Sequence, residues 1–143
     1  MLQIGNLILA SVPKRSSKAR RELLRSYVRL SAYLWNEMHE YSETHPQTSA
    51  KTVLVAGLQK LGMQVDDEDL VARRARPIQQ YGDDTDPMQQ VATTIQLPRY
   101  LWKQIEDYAA QARISKRHVF VRGLKELGLH VRDEDESSRS PLI

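Results

Sequence analysis

The chain repeats itself, and no other feature of the sequence limits its fold as strongly. Tyr33-Leu34-Trp35 through Tyr41 matches Tyr100-Leu101-Trp102 through Tyr108 at an offset of 67, with four of nine positions identical. One residue is then lost between the copies. At an offset of 66, Ser49 to Asp69 matches Ser115 to Asp135 at eleven of twenty-one positions: Ser49, Val53, Val55, Gly57, Leu58, Leu61, Gly62, Val65, Asp67, Glu68 and Asp69. Open stacks of helical repeats need about three units or more to bury a continuous core, so two copies imitate the halves of a homodimer. The segment between them, Leu70 to Val91, contains Arg73-Arg74-Ala75-Arg76-Pro77 and Gly82-Asp83-Asp84-Thr85-Asp86-Pro87. Both stretches disfavour regular structure, and the segment reads as a linker.

Each copy has the same local pattern. Arg25-Ser26-Tyr27-Val28-Arg29-Leu30 and Thr93-Thr94-Ile95-Gln96-Leu97 alternate with a period of two, which predicts a strand with one apolar face. Val28, Leu30, Ile95 and Leu97 then point inward, and Arg25, Tyr27, Arg29, Ala92, Thr94 and Gln96 point outward. Pro98 is suited to a first helical turn, so the strand runs directly into a helix. That helix carries the stripe Leu101, Ile105, Tyr108, Ala112, matched by Leu34, Met38 and Tyr41, and in the first copy it should end near His45-Pro46. A second helix begins at Ser49 and at Ser115, whose hydroxyls can cap it, with Ile114 and Val119 positioned as a staple across the second cap. Its buried side is predicted to be Leu54, Leu58 and Leu61, and Phe120, Leu124 and Leu127. Gly62 and Gly128 are placed to end it in the left-handed conformation, with Met63 or Leu129 packing back on Leu58 or Leu124. Gly57 and Gly123 lie inside this helix, where glycine costs about 1 kcal/mol relative to alanine. Either two helix backbones approach closely there or the glycines are simply tolerated.

Composition narrows the function. With 143 residues and 41% hydrophobic content, the chain suits one ordinary domain or two small intertwined ones, and no large catalytic scaffold. There is no cysteine, which excludes disulfides and thiolate metal sites and suits the cytoplasm. Leu2 to Val12 lacks the flanks of a secretion signal, and no apolar run approaches the roughly 20 residues of a membrane span. Residues 1–30 hold Lys14, Arg15, Lys18, Arg20, Arg21, Arg25 and Arg29 against the single acid Glu22, so a basic arm carries +6 while the remainder carries −3. Such an arm points to a polyanionic partner or to a solvated tail. His39, His45, His118 and His130 form no metal-ligand pattern, and neither a phosphate loop nor a nucleophile motif is present. Asp66-Asp67-Glu68-Asp69 and Asp133-Glu134-Asp135-Glu136 lack the spacing and central glycine of a calcium loop, and are expected to be solvated caps. Trp35 and Trp102 are read as packing residues. No enzymatic activity, metal or cofactor is expected.

A lone strand leaves its backbone groups unpaired, and two short helices cannot cover their own apolar stripes, so each unit needs a partner. A second copy supplies an antiparallel strand and two more helices around one core. Thr93-Thr94-Ile95-Gln96-Leu97-Pro98, then Tyr100-Leu101-Trp102, then Ile114-Ser115-Lys116-Arg117 resemble the ribbon-helix-helix family of bacterial DNA-binding proteins. The resemblance covers Arg25 to Val65 and Ala92 to Val131, a little over half the chain. The first copy departs from it with Ser31 where the second has Pro98, and with an extra residue before Ser49. The fold expected is mainly α with a two-stranded antiparallel β-ribbon, a tandem ribbon-helix-helix pseudo-dimer. Its expected parts are a basic arm (1–24), a first repeat (25–69), a linker (70–91), a second repeat (92–136) and a tail (137–143). A duplication within one chain is similar to accessory proteins of conjugation relaxosomes.

The resemblance implies that the ribbon enters the major groove of double-stranded DNA. Arg25, Tyr27, Arg29, Thr94 and Gln96 would then read bases, and Ser49, Lys51, Ser115, Lys116 and Arg117 at the second-helix starts would hold phosphates. The role implied is transcriptional repression or a plasmid-type nucleoprotein complex, in relaxosome or partition, with self-association along the DNA and a possible protein partner. The alternative is a protein-interaction module such as an antitoxin. Pairing of the copies within one chain and exchange between two chains both satisfy the pattern.

Overall fold

A computed structural model of the chain describes residues 19–74 and 76–136. It is mainly helical, with one two-stranded antiparallel sheet, and the order strand, helix, helix occurs twice. Strand β1 (Leu23–Ser31) leads into α1 (Ala32–Glu43) and α2 (Ala50–Lys60). After the linker, β2 (Gln90–Pro98) leads into α3 (Arg99–Ala112) and α4 (Lys116–Leu127), and a short α5 (Asp133–Glu136) follows. The strands are longer than their alternating cores suggest. Ser31 and Pro98 end them as the residues before α1 and α3, so Pro98 precedes its helix and does not form its first turn.

The strands pair in one register, with Arg25 opposite Gln96, Tyr27 opposite Thr94 and Arg29 opposite Ala92. Tyr27 and Thr94 occupy the same place in the two copies, and so the pairing is centred on them. Burial alternates identically along both strands. Val28, Leu30, Ile95 and Leu97 are buried beside Leu34, Trp35, Met38, Leu101, Trp102 and Ile105. One side of each strand is thus the roof of the core.

Helices α2 and α4 cross at the centre of that core. A Cβ added at Gly57 would lie 2.7 Å from the carbonyl carbon of Gly123, and one added at Gly123 would lie 2.8 Å from that of Gly57. The two glycines therefore permit backbone contact. Because these helices are packed on several sides, Val53, Val55, Val119 and Val121 are fully buried with Leu54, Leu58, Phe120 and Leu124, while Leu61 and Leu127 are only partly so. A single-stripe reading misses those valines. Both helices end in a left-handed glycine, Gly62 (φ 101°) and Gly128 (φ 108°), with Met63 N–H donating to Leu58 and Leu129 N–H to Leu124. These bonds close the last turn and bring Met63 and Leu129 onto the core.

Among the described residues, the linker has no helix and no strand before Gln90, the single 3-10 turn Asp67–Asp69 lying ahead of it, yet it is fastened to the first copy. The amide of Asn36 donates to Tyr81 O (3.1 Å) and accepts from Tyr81 N–H (2.6 Å), while His39 Nδ1 lies 2.8 Å from Ile78 O. Ala72 N–H donates to Gln47 O, and the N–H groups of Ala32 and Tyr33 donate to Gln89 and Pro87. Ala72 and Ile78 are buried. Among the described residues, no helix is long and apolar enough to cross a membrane.

Candidate nucleic-acid interface

The outer face of the sheet is built by the pleat. Arg25, Tyr27, Arg29, Ala92, Thr94 and Gln96 are all exposed, and Tyr27, at 77%, has most of its ring in solvent. The outward rows pair unlike residues: Arg25 with Gln96, Tyr27 with Thr94, Arg29 with Ala92. Arg25 and Arg29 make no ion pair among the described residues. Hydrogen-bonding groups and two guanidinium groups thus stand on a ledge about 20 to 30 Å long, the span of a nine-residue strand.

The second-helix starts contribute less than their sequence suggests. Ser49 forms a capping box, its hydroxyl accepting from Thr52 N–H while its own N–H donates to Thr52 Oγ1. Ser115 accepts from His118 N–H at 3.1 Å. Both serines are helix caps. Lys116 is half-exposed, 3.8 Å from Glu106 and near the Trp102 ring. Arg117 departs from the phosphate-binding expectation: its guanidinium donates to Asp135 Oδ1 (2.6 Å) and to Gln90 Oε1 (3.0 Å). An arginine held by a buried carboxylate is already neutralised. Lys51 stands at the equivalent place in the first copy and makes no ion pair among the described residues.

The acidic runs are where expectation and structure differ most. Asp135 is 2% exposed and Asp69 7% exposed, so neither is a solvated cap. Asp135 accepts from Tyr33 Oη (2.6 Å), Ser31 Oγ and Arg117. Asp69 accepts from Tyr100 Oη and from Arg21. Each tyrosine hydroxyl also accepts a backbone N–H, from Arg132 at Tyr33 and from Asp66 at Tyr100. Burial pushes the Asp135 carboxyl up, but bonds from Tyr33 and Arg117 outweigh it and hold the group below the usual carboxylate range. Burial, with the Asp69 bond, pushes the Tyr100 hydroxyl up to about 12. These clasps join the first helix of one copy to the end of the other.

The cation differs between the two clasps. Arg117 supplies it at Asp135, whereas Arg21 supplies it at Asp69, and Arg21 also pairs with Asp66 and Glu68. Arg20 pairs with Asp66 and lies 4.0 Å from the centre of the Tyr100 ring. Arg20 and Arg21 are therefore fixed within the fold and do not belong to a free basic arm, which also loses Leu23 and Leu24 to β1. Lys14, Arg15 and Lys18, and the tail 137–143, lie outside the described residues. The repetition of Tyr33 with Tyr100 and of Asp69 with Asp135 is the one signal that could have revealed the clasps. Among the described residues, no group of three or more His, Asp or Glu side chains is placed to hold a metal ion. No protein-family model matches the chain, and no curated protein or solved structure matches it either.

Proposed function

We propose that the chain is a tandem ribbon-helix-helix pseudo-dimer that binds double-stranded DNA sequence-specifically, with the β1–β2 ledge in the major groove. The observation that carries this reading is the exposed row of Arg25, Tyr27, Arg29, Thr94 and Gln96 on a sheet whose other side is core. A two-stranded ribbon fits the major groove, where arginine pairs with guanine O6 and N7, glutamine with adenine N6 and N7, and threonine with a thymine methyl. Arg25 and Arg29 take the guanine role, Gln96 the adenine role, and Tyr27 with Thr94 meets the centre of the site. Because Arg25 faces Gln96 at one end and Arg29 faces Ala92 at the other, the two half-sites are read unequally. The operator is an imperfect inverted repeat.

Ser49, Lys51, Ser115 and Lys116 sit at the second-helix starts, where free N–H groups and the helix dipole favour phosphate. Arg117 drops out of that set because of Asp135. One ribbon covers few base pairs, so several chains side by side would occupy a longer operator, in repression or in a plasmid-type nucleoprotein complex. The test begins with selection of duplexes from a random-sequence pool. The Arg29→Ala/Gln96→Ala variant should then bind the selected duplex at least about 30-fold more weakly, since each bidentate pair contributes about 1–3 kcal/mol. Equal affinity of variant and wild type, by fluorescence anisotropy, rejects groove reading.

A further inference from the structure

We infer that the linker arginines Arg73, Arg74 and Arg76 form a phosphate clamp beside the ribbon, gripping the DNA backbone at the half-site that faces Arg25 and Gln96. The inference rests on the DNA-binding reading above and deepens it. These arginines, with Lys51, Arg25 and Gln96, line one open groove of about 1700 Å³ between the linker, the start of α2 and the ribbon. A cleft for a single small ligand is roughly 300–1,000 Å³, so this one suits an extended ligand. Arg73, Arg74 and Arg76 are exposed, and none makes an ion pair among the described residues. The acids on the same groove, Glu68 and Asp69, are both taken by Arg21. Among the described residues, Arg25, Lys51 and the three linker arginines are thus five cations without a carboxylate, facing a common space.

The segment that carries the arginines is anchored on either side of them. Before them, buried Ala72 is bonded to Gln47, and after them, buried Ile78 is bonded to His39. These anchors fix where the segment leaves and rejoins the first copy, and the arginines between them share the groove with the ribbon. The charge complement selects the occupant: five cations on one groove call for a polyanion, and duplex DNA carries a phosphate in each strand about every 3.4 Å of helix axis. At the opposite end of the ribbon, Arg117 is held by Asp135 and Lys116 lies near Glu106. Among the described residues the clamp is therefore one-sided.

The test compares wild type with the full-length Arg73→Gln/Arg74→Gln/Arg76→Gln variant on a duplex enriched by the wild type, over a series of KCl concentrations. Loss of three phosphate contacts should lower the slope of log affinity against log salt by about 2–3, at roughly 0.9 per contact, and leave base preference unchanged. The corresponding triple lysine variant should keep the wild-type slope. Coincident slopes for wild type and the glutamine variant overturn the clamp alone, and so does loss of slope in the lysine variant. A wild type that binds random duplex without enriching any sequence, but with a slope the glutamine variant lowers, overturns base reading and leaves the clamp standing. A wild type that binds no duplex overturns both.

Discussion

At Gly57 two effects of one methyl group oppose each other. Alanine should favour an isolated helix by about 1 kcal/mol. In this fold the methyl meets Gly123 backbone at 2.7 Å, and backbone cannot rotate away as a side chain can. Overpacking of this kind costs about 1–3 kcal/mol or more, so Gly57→Ala should lower the free energy of unfolding despite the propensity gain. Urea denaturation monitored by circular dichroism measures the sign directly, and a stabilised Gly57→Ala protein would show that the close approach constrains nothing. The sequence presents Gly57 and Gly123 as a repeated pair but leaves their purpose open. Only the crossing of α2 over α4 decides it, because tolerance and close contact leave the same letter in the chain.

The elements are joined by the Tyr33–Asp135 and Tyr100–Asp69 clasps, which couple each first helix to the other copy. Asp135 is held ionised in the fold, with its affinity for a proton below that of the unfolded chain. Its contribution is therefore complete above the unfolded value near 3.9 and is lost as pH falls through the folded value. Replacing it by asparagine leaves Arg117 without its counter-ion. Asp135→Asn should cost about 3 kcal/mol at neutral pH, and its stability should fall less steeply than wild type between pH 5 and pH 2. Parallel acid limbs in urea titrations would contradict the assignment. These clasps escaped the sequence reading because a run of four acids resembles a solvated cap until a tyrosine from another element closes over one of them. Strand alternation and the glycine helix ends were legible, since they are set by neighbours along the chain. The docked linker was not, because Asn36 and His39 meet it only after folding.

For the whole molecule, the decisive fact is that β1 and β2 belong to one chain and pair with each other. A ribbon shared by two chains has a stability that depends on protein concentration, whereas an internal one does not. The thermal midpoint should therefore stay constant over a hundredfold range of concentration, as differential scanning fluorimetry can show, and a rising midpoint would reveal exchange between chains. The repeat made the strand pairing legible, while the unequal cations at its two ends depended on how far Asp135 and the linker reach.

That inequality gives the molecule a head and a tail. A body with true twofold symmetry is unchanged when turned end over end, so it reports position along a rod but not heading. This chain, with Arg25 opposite Gln96 at one end and Arg29 opposite Ala92 at the other, is altered by the same turn. On the proposed reading, a chain seated on an imperfect repeat takes one heading, and whatever docks against it would inherit that direction.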